Sequence, residues 1–215
     1  MFGDPRQFLF TAIIRIIVLL TAMPVHEFAH AFMADKLGDR TARNYGRLTL
    51  NPMAHLDPIG SLMIVFVGFG WAKPVPVNTY NLKNRGAIAW VAAAGPLSNV
   101  ILATVLMFVI QLAANLFGTV IPVALVLVFT IMIQTNLSLA VFNLFPIPPL
   151  DGSRILGYFL PSSFETNLLR YQREIYFGFM ILAFTGMLSY PIHIVSNFLY
   201  QGIYTIVNLL LGIVF

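Results

Sequence analysis

The sequence predicts an all-α polytopic membrane protein, and three observations predict it. Hydrophobic residues make up 59% of the 215 and charged residues 9%, whereas a soluble globular domain carries about 25% charged residues. The apolar residues gather into runs long enough to cross ~30 Å of hydrocarbon. The twelve Lys and Arg lie almost entirely between those runs. A soluble domain, a disordered chain and a disulfide scaffold are thereby excluded. With no cysteine, a thiolate metal site and a cysteine nucleophile are excluded too. The net charge of +4 is that of loops facing the cytoplasm, so the expected surroundings are a lipid bilayer and not nucleic acid.

One membrane domain is expected over 1–215: three core helices, one or two C-terminal membrane helices, and a re-entrant or extended membrane-associated loop. Residues 8–34 form the first span. It is retained rather than cleaved as a leader, because Arg15 sits mid-run and no small-x-small site follows. Residues 35–86 form a cytoplasmic or re-entrant loop. Inside it Ile59–Gly70 is apolar but too short to span. The following Gly70–Asn78 reads as extended chain, because Pro74 and Pro76 forbid a helix interior.

Residues 87–112 form span two, interrupted early by Ala94-Gly95-Pro96. Residues 119–145 form span three, whose Gln134, Asn136 and Ser138 suit either a water route or bonds between helices. The run Pro146-Ile147-Pro148-Pro149 ends it, and 146–173 is a polar loop. Two apolar segments, 174–190 and 192–215, follow, separated at Pro191. Seven of twelve basic residues lie in 35–86 and three in 151–173, which places both loops in the cytoplasm. If 192–215 spans after 174–190, the C-terminus also ends there.

The chemistry lies in His26-Glu27-Phe28-Ala29-His30, a His-Glu-x-x-His pattern. On a helix, residues four apart share a face, so two imidazoles can bind one zinc. The adjacent glutamate can act as general base toward a water that the metal activates. Ionisable groups within a span are costly and usually functional.

Catalytic zinc takes three protein ligands, so a third must be found. No glutamate occurs between Glu27 and Glu165. Asp35 is off the ligand face, Asp39 lies in the basic loop, and Asp57 before Pro58 reads as a helix cap. Asp151 is the best candidate, because it lies at the cytoplasmic end of span three, at the depth of His26 and His30. The alternative for Asp151 is a cap on a helix starting at Ser153, and His55 is the reserve ligand. His193 is expected to be structural.

With these residues in view, the sequence resembles the site-2 protease family of intramembrane zinc metalloproteases. The matches are His26 to His30, Ala94-Gly95-Pro96-Leu97-Ser98-Asn99, and Asn143 through Leu150-Asp151-Gly152, in family order over about 25–155. Gly70–Asn78 is similar to the family's membrane-embedded loop. The resemblance is to a minimal form without PDZ-like or CBS-like domains.

The resemblance implies one zinc on His26, His30 and Asp151, with Glu27 as general base. It implies cleavage of a single-span membrane protein substrate near the cytoplasmic face, by an enzyme of a prokaryotic plasma membrane. It also implies that Asn143 holds the substrate backbone or the oxyanion. Trp71, Val75 and Val77 are candidates to pair with an unwound substrate as an edge strand. Gly95 and Pro96 would allow close helix packing, and Asn99 would support a ligand. The rival reading is a metal-ion transporter or zinc-binding membrane protein using the same cluster.

Overall fold

A computed structural model describes residues 5–67, 70–161, 166, 168 and 170–214. Residues 68–69 of the expected re-entrant segment and 162–165 of the polar loop lie outside the described residues. Helix α1 is Pro5–Lys36, α2 Thr41–Asn44, α3 Pro58–Val67, α4 Arg85–Phe117, α5 Val123–Asn143, α6 Asp151–Phe159, α7 Gln172–Phe184 and α8 Ser189–Val214. No strand occurs among the described residues, only an isolated antiparallel bridge between Leu56 and Ala72. The chain is an all-α polytopic membrane protein. Its long apolar helices are Phe8–Lys36, Arg85–Phe117, Val123–Asn143 and Ser189–Ile213.

The protein packs inside out relative to a soluble bundle. Leu9, Ile13, Ile16 and Leu20 of α1 point outward, where lipid tails meet them. The interior is lined by small residues, Ala12, Ala22, Ala31, Ala34, Ala92, Ala103 and Ala140, which let backbones approach closely. Helix α4 is central and contacts α1, α5, α6 and α8. Ala103 and Met107 of α4, Ile133 and Leu137 of α5, and Val207 and Leu211 of α8 form one buried cluster. Hydroxyls within the spans return to their own helices: Thr21 donates to Ile17 O, Thr104 to Val100 O and Thr135 to Ile131 O.

Local signals set the helix ends. Asp57 accepts from Gly60 N–H at 2.8 Å and Pro58 opens α3, as its cap reading expected. Asn84 caps α4 by accepting from Ala87 N–H at 2.9 Å. Helix α3 and the extended chain after it press together, for a Cβ on Gly70 would lie 2.7 Å from the Ile64 side chain. Arg15, inside the first span, donates to Val65 O in the last turn of α3 at 2.8 Å.

The C-terminal region differs from the expectation. The break between the two segments falls at Thr185–Leu188, and Pro191 lies within the first turn of α8, where a missing N–H costs no helical bond. Helix α7 has 13 residues, about 20 Å long at 1.5 Å per residue, too short for the hydrocarbon. Helix α8 is long enough. The described helices thus supply one C-terminal crossing, within the one or two expected. The condition for a cytoplasmic C-terminus, that both 174–190 and 192–215 span, is not met among the described helices.

Candidate metal centre

Helical periodicity stacks His26 and His30 on one face of α1, with their Nε2 atoms 3.0 Å apart. Asp151 comes from the far end of α5. The proline run after Asn143 cannot continue the helix, so the chain turns, with Ile147 N–H donating to Phe145 O and Leu150 N–H to Ile147 O. Helix α6 then starts at Asp151. Its Oδ2 lies 3.3 Å from both imidazole Nε2 atoms.

The three side chains suit a metal ion. Four-coordinate zinc holds nitrogen and oxygen at about 2.0–2.1 Å, which sets ligand atoms roughly 3.3 Å apart. The observed separations match. Asp151 Oδ2 is buried without a hydrogen-bond partner among the described residues, an arrangement that a cation relieves. The cap reading of Asp151 is not observed: Leu150 occupies the cap position of α6 and no side chain caps it. His26, His30 and Asp151 are the cluster among the described residues that could hold a metal ion.

Neighbouring groups set the imidazole tautomers. His30 Nδ1 lies 2.7 Å from Val91 O. A carbonyl only accepts, so Nδ1 carries the proton and the Nε2 lone pair faces the cluster. His26 Nδ1 lies 3.2 Å from the side-chain amide of Asn99, which is fully buried. Asn99 Oδ1 otherwise has no partner. The nitrogen Nδ2 is the amide atom placed at that distance; with the amide turned over, Oδ1 accepts from Nδ1–H and the His26 Nε2 lone pair faces the cluster. Gly95 sits against both imidazoles, where a Cβ would lie 2.6 Å from His26 Nε2. Pro96 beside it is buried.

The cluster opens onto a cavity of about 400 Å³. Glu27, Trp71, Val75, Val77 and Asn143 all line it, together with Arg154. Glu27 Oε2 accepts from Val75 N–H at 3.1 Å. Asn143 donates to Leu139 O at 2.9 Å. Gln134, Asn136 and Ser138 do not line the cavity. Asn136 is buried and its amide nitrogen donates to Met132 O of its own helix.

The reserve ligand His55 stands apart, fully buried, with Nε2 2.7 Å from Thr49 O and Nδ1 3.5 Å from Arg47. His193 is exposed on α8. Asp35 pairs with Arg43 at 2.6 Å. Sequence reasoning missed the part played by Asp39. It is fully buried and accepts from Thr41 N–H and Oγ1, Asn78 N–H and Asn81 Nδ2. Asp39-x-Thr41 reads locally as a turn, but nothing in the sequence signals that Asn78 and Asn81 arrive there.

Comparison with known proteins agrees with this chemistry. A profile of peptidase family M50 matches residues 111–188. YwhC of Bacillus subtilis, named "Putative zinc metalloprotease", is 42% identical over 180 residues, covering 81% of this chain and 82% of that protein. Rip2 of Mycolicibacterium smegmatis, under the same description, is 31% identical over 139 residues, 62% of this chain and 52% of its own length. Rip2 of Mycobacterium tuberculosis is 33% identical over 141 residues, again 52% of its length. No solved structure matches the chain.

Proposed function

The chain belongs to peptidase family M50, the site-2 protease family, and within that family we propose that it hydrolyses peptide bonds inside transmembrane helices of single-span substrates, near the cytoplasmic face. It is a multi-pass membrane zinc metalloprotease, which sets aside the metal-ion transporter alternative. The observation that carries the finer reading is the convergence of His26, His30 and Asp151 within 3.3 Å beside Glu27. His26 Nε2, His30 Nε2 and Asp151 Oδ2 are the atoms that would hold zinc. When bound, zinc supplies a Lewis acid that polarises the scissile carbonyl and lowers the pKa of water.

The protein's own groups do the rest. Glu27 takes a proton from the attacking water and delivers it to the leaving amine. Asn99 and Val91 O hold the two imidazoles in the tautomer that offers Nε2. Asn143 holds the substrate backbone or its developing oxyanion. An intact helix hides its carbonyls in i→i+4 bonds, so the substrate must unwind. The extended Trp71–Val77 chain along the cavity supports pairing with it as a strand. The cytoplasmic placement is supported by the seven basic residues of 35–86.

The test is cleavage of single-span peptides with helix-weakening centres in liposomes by wild type and Glu27→Gln, with cut sites mapped by mass spectrometry. Wild type should cut within the span toward the cytoplasmic end and stop when chelated. Glu27→Gln should keep its zinc and lose at least ~100-fold in rate. Full activity in Glu27→Gln, or cuts confined to soluble flanks, would overturn the reading.

A further inference from the structure

The segment Lys73-Pro74-Val75-Pro76-Val77-Asn78 is fastened to the rest of the protein through its backbone. Lys73 N–H donates to His55 O at 2.8 Å, and Arg47 donates to Lys73 O at 2.5 Å. At the other end Asn78 N–H donates to the buried Asp39 Oδ2 at 2.7 Å. Between these anchors Val75 N–H donates to Glu27 Oε2 at 3.1 Å. Pro74 and Pro76 carry no N–H, so Val75 supplies the one backbone donor of the 74–76 run. A slip of one residue in either direction would present a proline to Glu27 and no donor at all. Glu27 Oε1, by contrast, has no hydrogen-bond partner among the described residues.

We propose that the Val75 N–H is a positioning group for the general base: it holds Glu27 Oε2 and so leaves Oε1 turned to the water and the leaving amine. The proposal rests on Glu27 being the general base. The Pro-Val-Pro pattern makes the register unambiguous, and Asp39, Arg47 and His55 fix it from outside the cavity. A carboxylate rotating freely about its last bond would offer the wrong oxygen part of the time. Because the amide acts on the base and not on the substrate, its loss falls on kcat and leaves KM and zinc content in place.

The test replaces residue 75 by the α-hydroxy analogue of valine, which exchanges that N–H for an ester oxygen and keeps the side chain. Val75→Ala, which keeps the N–H, and Val75→Pro, which removes it, are measured alongside, with wild type and Glu27→Gln as references. The ester should lose about 10- to 100-fold in kcat with one zinc per chain and a KM that moves far less than kcat, and Val75→Pro should lose kcat at least as far, whereas Val75→Ala, whose effect falls on the substrate-facing side chain, should keep a kcat well above both. An ester variant with wild-type kcat overturns the proposal. So does one that turns over faster, which would make the contact inhibitory. If Glu27→Gln itself retains turnover, the general-base reading has failed instead.

Discussion

Gly95 of α4 lies directly against His26 of α1, so closely that a Cβ at position 95 would stand 2.6 Å from both Cε1 and Nε2 of the imidazole. Real Cβ contacts essentially never come so near. The missing side chain is what lets α4 bring Val91 O and Asn99 to the two histidines. Gly95→Ala should therefore displace His26 and His30, with an overpacking cost of about 1–3 kcal/mol. Competition with a chelator should show zinc held about 10- to 100-fold more weakly, with helical circular dichroism unchanged. Undiminished zinc affinity would mean that the imidazoles can move aside freely.

Asn99 gives a separable prediction. If its amide oxygen accepts from His26 Nδ1–H, then Asn99→Asp retains an acceptor and Asn99→Leu does not. Losing such a support to a ligand typically costs about 10- to 100-fold in metal affinity. Zinc titration should place Asn99→Leu in that range and Asn99→Asp near wild type. Equal loss in both variants would point to packing rather than to the hydrogen bond.

Arg15 is the basic residue within 8–34, and its guanidinium reaches Val65 O. Carbonyls of a last helical turn lack intrahelical partners, and the helix dipole favours a cation there. Arg15→Met should cost about 1–3 kcal/mol and loosen α3. Hydrogen exchange should rise at 58–67 and not at 85–117. Unaltered exchange in α3 would show that the contact holds nothing in place.

Asp39 links stability to pH. Burial pushes its carboxyl up, yet the donors from Thr41, Asn81 and Asn78 more than offset it and leave the pKa below the ordinary value. A depressed folded pKa gives stability that is fully present above the unfolded value of about 3.9 and is lost as pH falls through the folded one. Thermal unfolding in detergent should find Asp39→Asn less stable than wild type at pH 7. The gap should close as the pH drops below about 4. A gap that persists or widens in acid contradicts this account.

Much of the architecture was legible because the bilayer imposes it. Spans follow from apolar length, and the extended character of 70–78 follows from Pro74 and Pro76. The candidate metal cluster was legible for a different reason: His26 and His30 are brought together by local periodicity, and Asp151 follows a proline run that must break span three. What escaped are contacts made by backbone or by distant polar groups. Val91 O is a carbonyl 61 residues from His30 and has no side-chain signature. Asp39 gathers Asn78 and Asn81 from across a long loop, which no periodicity reports. The C-terminal boundary was misplaced because Pro191 reads as a break when it stands in a first turn.

The most direct measurement of the central claim is X-ray absorption at the zinc edge of the purified wild-type protein, compared with Asp151→Ala and His55→Ala. The account predicts one zinc with two imidazoles and a carboxylate oxygen at about 2.0–2.1 Å. Asp151→Ala should lose that oxygen or the zinc itself, and His55→Ala should match wild type. A third imidazole in the wild-type spectrum, or a signal indifferent to Asp151, would contradict it.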